Sequence, residues 1–243
     1  MTTAEFSNEF DTLVASYRRF KNFDDKENLD SIEFDEYEKS VFLTQAQEDL
    51  VKSYYSGKNP FRESFEANES LRRDLEKLVK TQKITDKITT NAPQGISDNS
   101  VFFKLPDDVW FITYESVHLK DEILECADDT EVIVVPTTQD DYYRISQNPF
   151  RQPSKRRALR LDVADGIVEI ISKYNVSSYL VRYLQRPTPI VLIDLPNGLT
   201  INNVNKSTEC ILNSAIHREI LLRAVQIALS SKFTGVKTEE NGK

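Results

Sequence analysis

The spacing of large apolar residues divides the chain into helical and extended stretches. Near the start, Phe6, Phe10, Leu13, Tyr17 and Phe20 recur every three or four residues, the period of one helix face, and Thr2 or Thr3 stands where an N-cap belongs. Residues 21–33 are polar, acidic and irregular and read as a linker. A second helix is predicted from about Asp35 to Tyr55. Asp35 and Glu38 have the spacing of a capping box, Leu43, Ala46, Leu50 and Tyr54 mark the buried face, and Gly57 stops the helix. A third is predicted from about Asn68 to Lys83, with Asn68 as its cap and Leu71, Leu75 and Leu78 turned inward. Asn91 to Ser100, with Pro93 and Gly95, reads as a loop and a boundary.

Beyond that loop the pattern changes to β-branched and aromatic runs. Val101–Leu105 and Val109–Leu119 are predicted strands around a Pro106-Asp107-Asp108 turn, and Glu131–Val135 is a short strand ended by Pro136. Ile167–Ser172 and Val176–Gln185 are predicted as a hairpin around Lys173-Tyr174-Asn175, and Ile190–Leu195 as one more strand. The last element is a helix from about Asn213 to Lys232. Ile216, Ile220, Ala224, Ile227 and Ala228 share one face, and Leu221, Val225 and Leu229 widen it, so it needs cover on most sides.

Helices first, then five or six strands in hairpin order, then a helix: this is an α+β pattern with an antiparallel sheet. The terminal helix is expected to pack on that sheet. The expected organisation is a helical region over 1–95 with its acidic linker, a sheet region with the C-terminal helix over 96–233, and a disordered tail over 234–243.

Composition narrows the function. Apolar residues make up 39% of the chain, a modest core for 243 residues, which suits an extended shape or surfaces completed by partners. Thirty-nine acidic against 31 basic residues give a net charge of −8, unfavourable for general nucleic-acid binding and suited to a surface that DNA passes without sticking. No apolar run reaches membrane-spanning length, and the N-terminus lacks the pattern of a secretory signal. Cys126 and Cys210 are therefore expected as two reduced thiols.

The residues needed for common chemistry are missing. His118 and His217 have no ligand partner at metal-site spacing. Asp24, Asp25, Glu27 and Asp30 could hold a cation only weakly and read better as a solvated linker. Cys126 is flanked by acids, which oppose thiolate formation. There is no nucleophile elbow and no glycine-rich phosphate loop. A paired-carboxylate site has no short signature. Asp140-Asp141-Tyr142-Tyr143 could serve one, although a turn leading into a loop accounts for the same residues. No catalytic, cofactor-binding or metal-binding residue is assigned.

The most unusual local feature is basic. Arg144, Arg151, Lys155, Arg156, Arg157 and Arg160 fall within 17 residues that contain no acid, among Pro149, Pro153, Tyr142, Tyr143 and Phe150. Such a segment can dock on a protein surface, contact nucleic-acid backbone, or stay solvated. Residues 24–49, with ten acids against Lys26 and Lys39, would complement it on a sister subunit.

Four stretches carry a resemblance. They are the Phe6–Phe10 helix with Phe34-Asp35-Glu36-Tyr37-Glu38-Lys39-Ser40-Val41-Phe42-Leu43; Tyr142-Tyr143-Arg144-Ile145 with Asn148-Pro149-Phe150-Arg151 and Arg156-Arg157-Ala158-Leu159-Arg160; Tyr183-Leu184 with Arg186-Pro187-Thr188-Pro189-Ile190; and Ile216-His217-Arg218-Glu219-Ile220. Together, over about residues 5–230, they resemble the neck and tail-ring structural proteins of crAss-like tailed bacteriophages. The resemblance implies a non-enzymatic adaptor ring of the virion, made in the host bacterial cytoplasm and set between portal and tail barrel. It also implies a homo-oligomer, twelve-fold as such rings are, that meets the portal and other neck and tail ring proteins while DNA passes through the channel. It supplies no catalytic residue, cofactor or membrane contact. Expected intersubunit contacts are the six basic residues of 144–160 together with Phe6 and Phe10. The competing readings are a phage hydrolase with a paired-carboxylate site and a nucleic-acid-binding regulator.

Overall fold

The computed structural model describes residues 1–21, 33–59, 62–90, 92–127, 129–196 and 198–236. Most of the acidic linker, including Asp24, Asp25, Glu27 and Asp30, and the tail from 237 lie outside the described residues. Three helices come first: α1 (Thr3–Lys21), α2 (Glu36–Ser56) and the short α3 (Glu69–Asp74). Then come strands β1 (Val79–Ile84), β2 (Lys87–Ile88), β3 (Ser100–Lys104), β4 (Val109–Leu119) and β5 (Thr130–Pro136). Helix α4 (Gln139–Ser146) precedes β6 (Arg157–Ala164), β7 (Ile167–Ile171) and β8 (Val176–Gln185), and α5 (His217–Val236) ends the described chain. The class is α+β, as the sequence pattern predicts.

These elements form two compact units, one of Met1–Leu78 with the chain from Pro187 onward, the other of Val79–Arg186. The boundary expected near residue 95 falls inside the second unit, because β1 and β2 precede it.

In the helical unit, local capping signals decide where helices begin. Thr2 and Glu5 exchange backbone-to-side-chain hydrogen bonds at the head of α1. Asp35 and Glu38 do the same for α2, and Gly57 closes that helix with φ 75°, the left-handed conformation that glycine adopts without strain. One face of α2 buries Leu43, Ala46, Leu50 and Val51. Beside them Ser40, Thr44 and Gln47 are buried too, and the reason lies in the segment they face. Residues 190–195 were expected as a strand. The chain there makes one isolated bridge, Val191 to Thr208, bonds the 205–208 segment through Leu195 N to Asn205 O (2.7 Å) and Ser207 Oγ to Val191 O and Leu192 O, and bonds α2 side chains as well. Leu192 N donates to Ser40 Oγ (3.0 Å), Ile190 N to Thr44 Oγ1 (3.1 Å), and Gln47 Nε2 donates to Thr188 O (2.8 Å). Three α2 side chains and the 205–208 segment thus share the satisfaction of an irregular backbone that has no sheet neighbour.

The terminal helix corrects another expectation. Its cover comes from α2 and α1, within the helical unit. Ile216 and the α5 residues Ile220, Leu221, Ala224, Val225 and Ala228 are buried in this helical packing. His217 is buried at the head of α5, with Nε2 3.2 Å from Leu212 O, Nδ1 2.9 Å from the Met1 ammonium, and its ring 5.4 Å from that of Phe6. Burial pushes its pKa below the usual 6.5, against the opposing pull of the Leu212 carbonyl. Lys39, also buried, bonds Asp11 (2.7 Å) and Glu36 (2.9 Å). Desolvation alone would lower its pKa, but these two carboxylates outweigh it and the net shift is upward.

The second unit is one eight-stranded sheet in the order β1-β8-β4-β5-β6-β7-β3-β2. Two predicted neighbours are not partners: β7 pairs with β6 and β3, and β8 with β1 and β4. The true hairpin is β6–β7, turned by Asp165 and Gly166 with φ 51° and 73°. The pairing is antiparallel except for β5–β6, which is parallel and connected through α4. The helix predicted over 68–83 stops at Asp74, and after a 3-10 turn at Glu76–Leu78 the chain becomes the edge strand β1.

The strand order curls the sheet. β1 and β2 stand at its two ends yet are joined only by Thr85 and Asp86. That link reaches roughly 10 Å, whereas a flat sheet of eight strands would separate its ends by roughly 34 Å. The sheet must therefore roll until its ends approach. Its inner face holds Phe103, Val117, Leu119, Val134, Ala158, Val168, Ile170, Tyr179 and Val181 in one apolar cluster.

Candidate functional site

The basic segment lies in the sheet unit, at the parallel crossover. Thr138 caps α4 by accepting from Asp141 N, and Asp140 and Asp141 occupy its first turn, where acids favour the positive helix end. The pair expected to begin a loop is thus helical, and Asp141 bonds Arg144 at 2.7 Å. Tyr142 and Ile145 face inward against Leu159, Leu161 and Ile171. Tyr143, on the opposite side, is 75% exposed.

After α4 the chain makes two tight turns. Asn148 organises the first: its carboxamide oxygen accepts from Phe150 N (2.9 Å), and its carbonyl accepts from Arg151 N (3.0 Å) and Gln152 N (2.9 Å). In the second, Ser154 and Arg157 pair backbone to backbone, which puts Lys155 and Arg156 at the tip. Arg157 ties the two together by donating Nη1 to Phe150 O at 3.2 Å. The result is a knob held by its own hydrogen bonds, with Phe150 91% exposed and Arg151, Lys155 and Arg156 exposed around it. A hollow of about 380 Å³ adjoins it, lined by Thr130–Ile133 with Lys155 and Arg156.

The expected contact residues therefore divide. Arg151, Lys155 and Arg156 reach solvent, Arg144 is exposed but paired, and Arg157 braces the knob. Arg160 points inward, 11% exposed, with Nε 3.3 Å from Glu115 Oε2 and Nη1 3.3 Å from Asp162 Oδ1. Glu115 also accepts from Tyr179 OH at 2.7 Å. Burial raises the Glu115 pKa even though Arg160 and Tyr179 pull it down, so this trio is interior structure. Phe6 and Phe10 are fully buried in the helical unit, Phe10 edge-on to Phe34, and in this protomer they are core residues, because they leave no surface to offer. Phe150, visible in the sequence among these cations, was not counted among the expected contacts. Its signal was an aromatic residue outside any period, in a proline-bracketed loop of cations.

Among the described residues no group of three or more His, Cys, Asp or Glu is placed to hold a metal ion. Cys210 is a buried free thiol whose pKa burial pushes up to about 11. The Cys126 side chain lies outside the described residues. No described helix is long and apolar enough to cross a membrane.

A sequence profile of the family described as phage tail ring protein 3/4 matches residues 1–240. The chain belongs to this family. It is 52% identical over 240 residues to "Ring protein 3" of Bacteroides phage crAss001, covering 98% of this chain and 100% of that protein. It is also 32% identical over 238 residues to "Ring protein 4/5" of the same phage, covering 94% and 92%. A phage tail ring protein is a structural component.

Proposed function

We propose that this ring protein is a non-enzymatic adaptor of the virion neck, set between portal and tail barrel. Copies of the chain close into a ring, twelve-fold like the portal-associated rings of such phages, around a channel that DNA traverses. Ring proteins of other types and the portal are its neighbours along the axis. The observation that carries this reading is the knob: Phe150 lies 91% exposed on turns held by their own hydrogen bonds before any partner arrives. An apolar anchor fixed beforehand loses little conformational entropy on docking, which favours association. Net charge supports the channel role, since a surplus of eight negative charges does not hold phosphate.

Particle-mass measurement on the purified protein, alone and with portal, tests the proposal. Closed multimers are expected. Arg156→Glu with Arg157→Glu should reduce them at least tenfold while the folded protomer survives. A protein that stays monomeric in both settings would refute the ring role.

A further inference from the structure

The ring reading, on which this inference rests, requires two different patches on one protomer. A ring forms by heterologous contact, in which each copy offers one patch forward and another backward. The knob is one patch, and the strand order indicates where to look for the other.

The knob projects from the start of β6, beside β5. In the rolled sheet β5 and β6 hold the two central positions of the order, while β1 and β2 hold the ends. Counting strands either way around, the β1–β2 seam lies opposite β5–β6. At that seam is a second hollow, of about 320 Å³, with Ile84, Leu105 and Pro106 among its lining. Asp86 and Asp107 stand on its rim, and the one cation there, Lys104, is 3.4 Å from Asp107. Asp165 is exposed in the adjoining turn, where Leu105 N donates to Gly166 O at 2.8 Å.

This hollow is as fixed as the knob. Val109 N closes the Pro106 turn at 3.2 Å. Within the turn, Asp108 accepts from Lys80 at 2.7 Å and from Tyr183 OH at 2.9 Å. Ile84, Leu105 and Pro106 give the hollow an apolar part beside Gln82 and Lys104, and Asp86 and Asp107 are its acids. The opposite pattern, an aromatic ring among free cations, stands on the far side of the same unit.

We infer that the Phe150 knob of one copy docks in the Ile84–Leu105–Pro106 hollow of the next, with Arg151, Lys155 and Arg156 facing Asp86, Asp107 and Asp165. The partner is a second copy of this chain. Phe150 packs on Ile84, Leu105 and Pro106 and displaces water, and the charges around it fix orientation and exclude knob-to-knob pairing. Nearly opposite patches suit a ring of many copies, because the two contact directions of a subunit lie about 150° apart for twelve.

The mechanism can be tested by mixing two variants. Phe150→Ala with Arg156→Glu removes the knob and leaves the hollow. Asp86→Lys with Asp107→Lys inverts the rim and leaves the knob. Each variant alone should be monomeric by particle mass, with a melting transition like that of wild type. Mixed in equal amounts, they should stop at a one-to-one dimer, since the only intact knob and the only intact hollow meet once. If the lysine pair impairs folding, Asp86→Asn with Asp107→Asn replaces it, with at least tenfold weaker association expected. Wild-type rings together with rings from both variants would overturn the docking inference and leave the ring role standing. Wild type that never assembles, even with portal, would remove the ring role itself. A mixture that stays monomeric while wild type forms rings would overturn the pairing of these two patches.

Discussion

Helix α1 and the knob after α4 both carry aromatic residues that could meet a neighbouring subunit, and the protein treats them in opposite ways. Phe6 and Phe10 are fully buried, against His217 and Phe34, whereas Phe150 is 91% exposed with its backbone pinned by Asn148 and Arg157. The difference teaches how to read an aromatic residue. Periodic spacing on a helix marks a face that the protomer's own core absorbs. An aromatic outside any period, held in a polar loop, has no internal claim on it and is available for contact.

The sharpest way to break this comparison is truncation on both sides. Phe10→Ala should cost about 3–5 kcal/mol of folding stability, measured by urea denaturation. Phe150→Ala should leave stability within about 0.5 kcal/mol of wild type while weakening multimers. If the two variants behaved alike in denaturation, the division between core and contact aromatics would fail.

A smaller effect concerns the buried polar strip on α2. Gln47→Leu leaves Thr188 O without its 2.8 Å donor, and Thr44→Val leaves Ile190 N without its 3.1 Å acceptor. Each should cost about 1–3 kcal/mol in the same measurement, with no change in association per folded protomer. This strip also shows where sequence reading reaches its limit. The apolar run 190–195 resembles a strand because most of it is buried, but several of its backbone partners are side chains some 150 positions earlier, and no local pattern records that.

Other elements were legible for definite reasons. The Asp35–Glu38 box and Gly57 are short-range chemistry, so both ends of α2 could be placed from sequence. Strand β1 could not, because Lys80, Thr81, Gln82 and Lys83 are all exposed and an edge strand wet on both faces has no alternation. The pairing of β7 and β8 failed because rolling a sheet sends sequence neighbours to different partners. There the Asp165-Gly166 turn was the better signal and belonged to β6–β7. At the site, the cations of 144–160 were visible, but which of them face inward was not. Arg160 turns inward toward Glu115, a residue 45 positions away in sequence.

The pH response should come from the helical unit. His217 has a folded pKa below its ordinary 6.5, so the unfolded chain binds its proton first as pH falls. Its contribution to stability is complete above pH 6.5 and is lost as pH drops through the lowered folded value. Urea midpoints taken between pH 7.5 and 5 should fall, and His217→Gln should flatten that part of the curve. An unchanged slope in the variant would assign the acid sensitivity elsewhere. The smallest expected effect is at the α2 cap, where Asp35→Ala should cost about 1 kcal/mol and leave assembly untouched.

The most direct measurement is a cryo-electron-microscopy map of the assembled tail at side-chain resolution, read at Phe150. The account predicts this ring buried at a junction between two copies of the chain. Phe150 standing in solvent, or lining the DNA channel, would contradict it.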